Sequence, residues 1–146
     1  MEIVTSRFGR LEVDVDTVIR FPAGLTGLDD CREWVLLADE ENDALAWLQS
    51  MDRPELALAV VHPRRFVPDY QVRIPQRELA LLELKDMMAV RVLAIVGKTD
   101  LGMTLNLRAP LLISSERGLG RQVIVNGDLP IQHGLVDGPS TLRRSA

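Results

Sequence analysis

The side chains that most often carry out chemistry are scarce in this chain. There are two histidines, His62 just before Pro63 and His133 near the C-terminal end, and Cys31 is the only cysteine. A zinc centre needs three or four His, Cys or carboxylate ligands at short spacing, and neither imidazole has a second His or Cys at such spacing. Both are expected as surface or strand-end imidazoles. A nucleophilic thiol needs a base beside it; Cys31 has no His nearby in sequence and no Gly-rich nucleophile turn, so a small buried thiol is expected. The acidic run Asp39, Glu40, Glu41, Asn42, Asp43 could suggest calcium, but it lacks the alternating ligands, central Gly and terminal Glu of an EF-hand loop. It reads as a solvated turn. Arg117, Gly118, Leu119, Gly120 and Arg121 could touch a phosphate. They lack the Lys and Ser/Thr of a phosphate-binding loop and lead into a strand, so a hairpin connection is the expectation. No catalytic constellation, metal set or cofactor motif emerges, and by elimination the residues point to a non-enzymatic domain that binds protein.

Composition bounds the same answer. With 146 residues there is room for one domain and one core. Hydrophobic residues at 47% and charged ones at 26% exclude a disordered chain, and the net charge of -4 offers no excess of cations to neutralise a nucleic-acid backbone. Scattered aromatics, only 4% of the chain, do not form the stacking platform of an RNA-reading sheet. The uncharged runs Leu56–Val61 and Val92–Val96 fall well short of the ~20 residues that span a bilayer. The segment Met1–Gly9 carries Glu2 and Arg7 and lacks the apolar stretch of a secretion signal. A lone cysteine cannot form an internal disulfide. A cytoplasmic protein with no membrane partner, monomeric when free, is expected.

The elements that must position these residues are mostly strands. Leu11, Val13 and Val15 alternate with Glu12, Asp14 and Asp16, the two-residue period of a half-buried strand, and Ile3–Phe8 reads as its hairpin partner. Further strands are expected at Thr17–Phe21, Trp34–Ala38, Ala44–Gln49, Leu56–His62, Tyr70–Ile74, Val90–Val96, Met103–Leu107, Leu111–Ser114 and Gln122–Val125. One segment, Pro75–Leu84, has the opening proline and good helix formers of a short helix, with Leu79 and Leu82 on one face. The pattern predicts an all-β, mainly antiparallel, small barrel-like domain with one short helix near 75–84. Its body is expected over residues 1–130, with 131–146 as a flexible tail.

Four ordered segments carry a resemblance. Phe21, Pro22, Ala23, Gly24, Leu25, Thr26, Gly27, Leu28 is the first, and Leu48, Gln49, Ser50 with Pro54 the second. Pro68, Asp69, Tyr70 follows, and last comes Asn106, Leu107, Arg108, Ala109, Pro110, Leu111, Leu112, Ile113 with Gly120, Arg121, Gln122, Val123, Ile124. Together they resemble the FliW family of flagellar assembly factors. Leu28, Asp29, Leu58, Ser114 and Ser115 depart from the residues common in that family. Physically, Pro22 with Gly24 and Gly27 builds a rigid bend that turns Phe21, Leu25 and Leu28 inward, and Pro110 interrupts pairing between Leu105 and Leu111.

The resemblance implies a regulator that binds flagellin before export and, when flagellin is depleted, binds the translational repressor CsrA and lifts repression of flagellin synthesis. An acidic chain suits a basic RNA-binding partner. Two candidate surfaces follow. One is Gln49, Ser50, Met51, Asp52 and Arg53 with Asn106 and Arg108; these polar residues sit in the most family-like segments and show no core role in the sequence. The other is an acidic face of Asp29, Asp30 and Glu33 with the Asp39–Asp43 run. The alternatives are a small-ligand or flavin-binding β-barrel, since barrels can hold ligands in their mouths, and a flagellin chaperone without a translational role.

Overall fold

The N-terminal alternation forms a hairpin of β1 (Glu2–Thr5) and β2 (Gly9–Glu12), with Ile3 opposite Leu11. The structure, a computed structural model, describes residues 1–71, 74, 76–82, 90–125 and 133–134. The alternating pattern runs past the strand itself. Val13 is buried but Val15 is exposed, because the Asp14 carboxylate accepts from the Asp16 N–H at 3.0 Å and starts a 3-10 turn over Val15–Thr17. A side chain that offers the backbone a local partner ends a ladder in this way.

The main body is a closed barrel. Strands β3 (Val18–Arg20), β4 (Glu33–Ala38), β5 (Leu45–Ser50), β6 (Ala57–Val61) and β7 (Arg91–Thr99) run antiparallel to their neighbours. After β8 (Gly102–Leu105) come β9 (Leu111–Ser114) and β10 (Leu119–Gln122). Antiparallel pairing of β7 with β9, in which Leu93 faces Leu111, and a short parallel pairing of β10 with β3 close seven strands into a ring. On its edge away from β6, β7 is shared: Arg91–Leu93 pair with β9 and Val96–Thr99 with β8. Strand β8 thus leaves the barrel, and β11 (His133–Gly134) pairs along it.

The barrel interior is filled by Ile19, Phe21, Trp34, Leu48, Val60, Leu93, Leu111 and Ile113, as expected of a ring this small. A second cluster, with Phe66, Tyr70, Leu105 and Leu107, packs outside β7. Helix α1 (Gln76–Leu81) lies over β9 and β10: Leu82, just past its end, joins a cluster with Leu112 and Val123, and Glu78 pairs with Arg121.

Two strand expectations are corrected. Tyr70 and Gln71 form no strand; Tyr70 closes a turn that follows the 3-10 segment Pro63–Arg65, while Val72 and Arg73 lie outside the described residues. The strand expected at Gln122–Val125 runs instead over Leu119–Gln122. Val123 and Val125 are buried and flank exposed Ile124, so the period is real, but their N–H groups donate to Pro110 and Arg108 carbonyls in a loop. The ends of the expected helix, Pro75, Glu83 and Leu84, and residues 131–146 apart from β11, lie outside the described residues.

Candidate partner-binding surface

The bend after β3 builds one end of the barrel. The N–H of Phe21 donates to Arg32 O at 2.7 Å, that of Gly24 to Phe21 O at 2.8 Å and that of Leu28 to Leu25 O at 2.8 Å, so the chain folds back in successive tight turns. Gly24 has φ +70°, and a Cβ there would stand 2.9 Å from the Asp29 backbone. Phe21 and Leu25 are buried and Leu28 packs against them. The Phe21 ring lies directly on the Cα of Gly120 in β10, where any side chain would collide with it. The indole N–H of Trp34 donates to Cys31 O at 3.1 Å, pinning the end of the bend from beneath.

This geometry brings together the first expected surface and the Asp29, Asp30 and Glu33 part of the second. Asp29, Asp30 and Glu33 are exposed where the bend enters β4, and the β5–β6 loop lies beside them. Asp52 accepts from the N–H groups of Arg32 at 2.9 Å and Glu33 at 3.1 Å, and Arg53 pairs with Asp30. That hydrogen bond to Arg53 is the main reason the Asp30 carboxyl titrates below its ordinary range, and the same contact raises the guanidinium. Ser50 accepts from the N–H groups of Asp52 at 3.0 Å and Arg53 at 2.9 Å, which shapes the loop.

The expectation that Gln49 and Ser50 have no core role is corrected. Both are buried in β5. Gln49 donates to Ser50 O at 2.9 Å and Pro54 O at 3.3 Å, while its Oε1 has no partner among the described residues. Met51 is half-buried, and its N–H donates to Glu33 O at 2.8 Å. Asp52 and Arg53 alone of this segment are exposed.

Asn106 and Arg108 belong to the Asn106–Pro110 loop, in which Asn106 Oδ1 accepts from the Ala109 N–H at 3.2 Å and Arg108 is exposed. The residue that joins this loop to the bend is Gln122, whose Oε1 accepts from the Thr26 N–H at 2.8 Å and whose Nε2 donates to Ala109 O at 3.1 Å. Sequence reasoning assigned Gln122 no role. The available signals are its place in the family-like segment 120–124 and its polar amide at the start of an otherwise apolar stretch. One hydrogen-bonded rim therefore runs from Arg53 through Asp30 and the bend to Gln122 and the Asn106–Pro110 loop. The Asp39–Asp43 run lies elsewhere, beyond the opposite end of β4, as the expected turn: Asp39 accepts from the N–H groups of Glu41 at 3.1 Å and Asn42 at 2.9 Å.

Cys31 is fully buried and His62 follows β6 at an exposed position. Among the described residues no three His, Cys, Asp or Glu stand close enough to hold a metal ion, and no helix is long and apolar enough to cross a membrane. Fold and surface together define a class: a small β-barrel with a packed interior, whose polar groups are organised on a rigid rim.

The comparisons with known proteins agree with that class and narrow it. A family model described as FliW protein matches residues 2–135. A flagellar assembly factor FliW of Natranaerobius thermophilus is 32% identical over 150 residues, covering 100% of this chain and 99% of its own. One from Bdellovibrio bacteriovorus is 36% identical, covering 86% of this chain and 73% of its own. A crystal structure of the flagellar assembly factor FliW superposes with a TM-score of 0.85 at 28% identity, covering 92% of this chain and 96% of that one. The chain belongs to the FliW family of flagellar assembly factors.

Proposed function

We propose that this protein is a non-enzymatic cytoplasmic regulator that binds flagellin and antagonises the translational repressor CsrA, coupling flagellin translation to flagellin supply. The rim carries the reading. Two segments some twenty residues apart in sequence are locked together by Asp52 and by the Asp30–Arg53 pair, so Asp29, Asp30 and Glu33 stand exposed on a fixed frame. Preorganised carboxylates on a chain of net charge -4 suit the basic RNA-contacting surface of a CsrA-type repressor, through faster encounter and rejection of acidic competitors. The protein then controls an RNA without touching it. Arg108, on the loop tied to the same bend by Gln122, adds a cation at the rim. Free of partners, the protein acts as a monomer away from the membrane.

Binding of purified CsrA and purified flagellin to the native protein and to Asp29→Lys/Glu33→Lys and Arg108→Glu variants tests this. These side chains are exposed, so the fold should survive. The acid-reversal variant is expected to bind CsrA about tenfold or more weakly, mainly through a slower on-rate, with a flatter salt dependence. Unchanged affinity in correctly folded variants would remove the rim from the interface. Flagellin binding without any CsrA binding by the native protein would leave a chaperone with no translational role. Asp52→Lys is less clean, because it also deprives two backbone N–H groups of their acceptor.

A further inference from the structure

The end of the barrel away from the rim contains a cavity. Ala38 at the end of β4 and Ala46 in β5 are register partners, and two methyl groups stand where other positions of the wall carry Trp34 and Leu48. Above Leu36, Val60 and Leu93 this leaves a recess of about 150 Å³. Val60 and Leu93 are almost fully buried, so the floor is apolar and belongs to the core.

The lip is polar and includes a cation. Asp43, His62 and Arg91 line it. Asp43 is engaged by Arg65, which reaches its carboxylate at 3.4 Å and its carbonyl at 3.3 Å. Among the described residues no carboxylate pairs with Arg91. Desolvation by the surrounding protein, and then the neighbouring cations Arg91 and Arg65, hold the His62 imidazole below its usual range. An apolar floor beneath a guanidinium that no carboxylate among the described residues pairs is complementary to a molecule with an apolar body and one anionic end.

We propose that this recess binds a small monocarboxylate, its short apolar body between Ala38, Ala46 and Leu93 and its carboxylate on Arg91. The volume sets the size: an apolar cavity of about 150 Å³ accepts a molecule the size of benzene. The inference does not depend on the rim, because Glu33 and Ala38 mark opposite ends of β4.

Sodium benzoate is the probe, with benzyl alcohol lacking the charge and acetate lacking the body. Titration of isotopically labelled protein followed by NMR should show saturable shifts at Ala38, Ala46, Val60 and Arg91, with a Kd in about the millimolar range for so few atoms. Benzyl alcohol and acetate should each bind about tenfold more weakly or not at all. Arg91→Gln, an exposed change, should weaken benzoate about tenfold. Ala46→Leu should abolish binding by filling the recess. If Ala46→Leu folds poorly, Arg91→Gln still decides the question. Shifts that do not saturate, that acetate reproduces, or that survive both substitutions would overturn the proposal.

Discussion

The two ends of β4 belong to one wall but are finished in opposite ways. At the Glu33 end the chain doubles back as a bend, drops Phe21 onto Gly120 and leaves Phe21 and Trp34 with no exposed surface. At the Ala38 end a pair of alanines leaves a recess over Val60 and Leu93. The Glu33 end of β4 pairs with both β3 and β5 whereas Leu36–Ala38 pair with β5, so the ends differ in strand pairing, in side-chain volume at register-paired positions and in whether a neighbouring loop supplies a plug. A plugged end holds its surface groups in one geometry, which favours recognition by a rigid rim. An open end keeps unfilled apolar surface, which favours a guest.

The contrast breaks first at Phe21. Phe21→Ala empties the plug and should cost about 3–5 kcal/mol, read from the midpoint of urea unfolding. Leu36→Ala borders a space that already exists, so it should cost less, toward about 2 kcal/mol; equal losses would mean the two ends are not packed differently. The next largest effect is expected at Gly120→Ala, whose methyl group would enter the Phe21 ring and cost about 1–3 kcal/mol. In a double-mutant cycle with Phe21→Ala that penalty should largely vanish, because the ring it strikes is gone. Additive losses would show that Gly120 matters for some reason other than Phe21.

Much of the wall was legible because its signals are local. A run of apolar residues marked β4 to within one residue at its start, and Pro22, Gly24 and Gly27 announced the bend that carries Phe21 inward. What escaped was non-local or ambiguous. Nothing along the chain says that β7 divides one edge between β8 and β9, the step that closes the ring. Val15 fits the strand pattern, yet one carboxylate two residues before Asp16 diverts the backbone into a turn. Gln49 looked like surface because it is polar; its burial follows from its place in β5 between β4 and β6. Gln122 links two loops distant in sequence, and such a link exists only once the barrel has closed.

The smallest expected effect tests whether the plugged end is also braced from outside. Tyr70 is buried, and its hydroxyl donates to Leu107 O at 2.7 Å, within the Asn106–Pro110 loop. Burial pushes the phenol up from 10.0 to about 12. Because the folded value lies above the unfolded one, the neutral hydroxyl contributes its full stabilisation below about pH 10. That contribution fades as pH rises through about 12, where the buried oxygen ionises and can no longer donate. Tyr70 is the chain's single tyrosine, so tyrosinate absorbance reports this group alone: its midpoint should fall near 12 in the native protein and near 10 in denaturant. Tyr70→Phe should cost about 1 kcal/mol near neutral pH and remove this group's alkaline loss. If the rim depends on the brace, hydrogen exchange at Ala109 and Thr26 should quicken in that variant while exchange at Ala46 stays unchanged. Equal acceleration at all three sites would mean that Tyr70 supports the whole barrel, not the plugged end in particular.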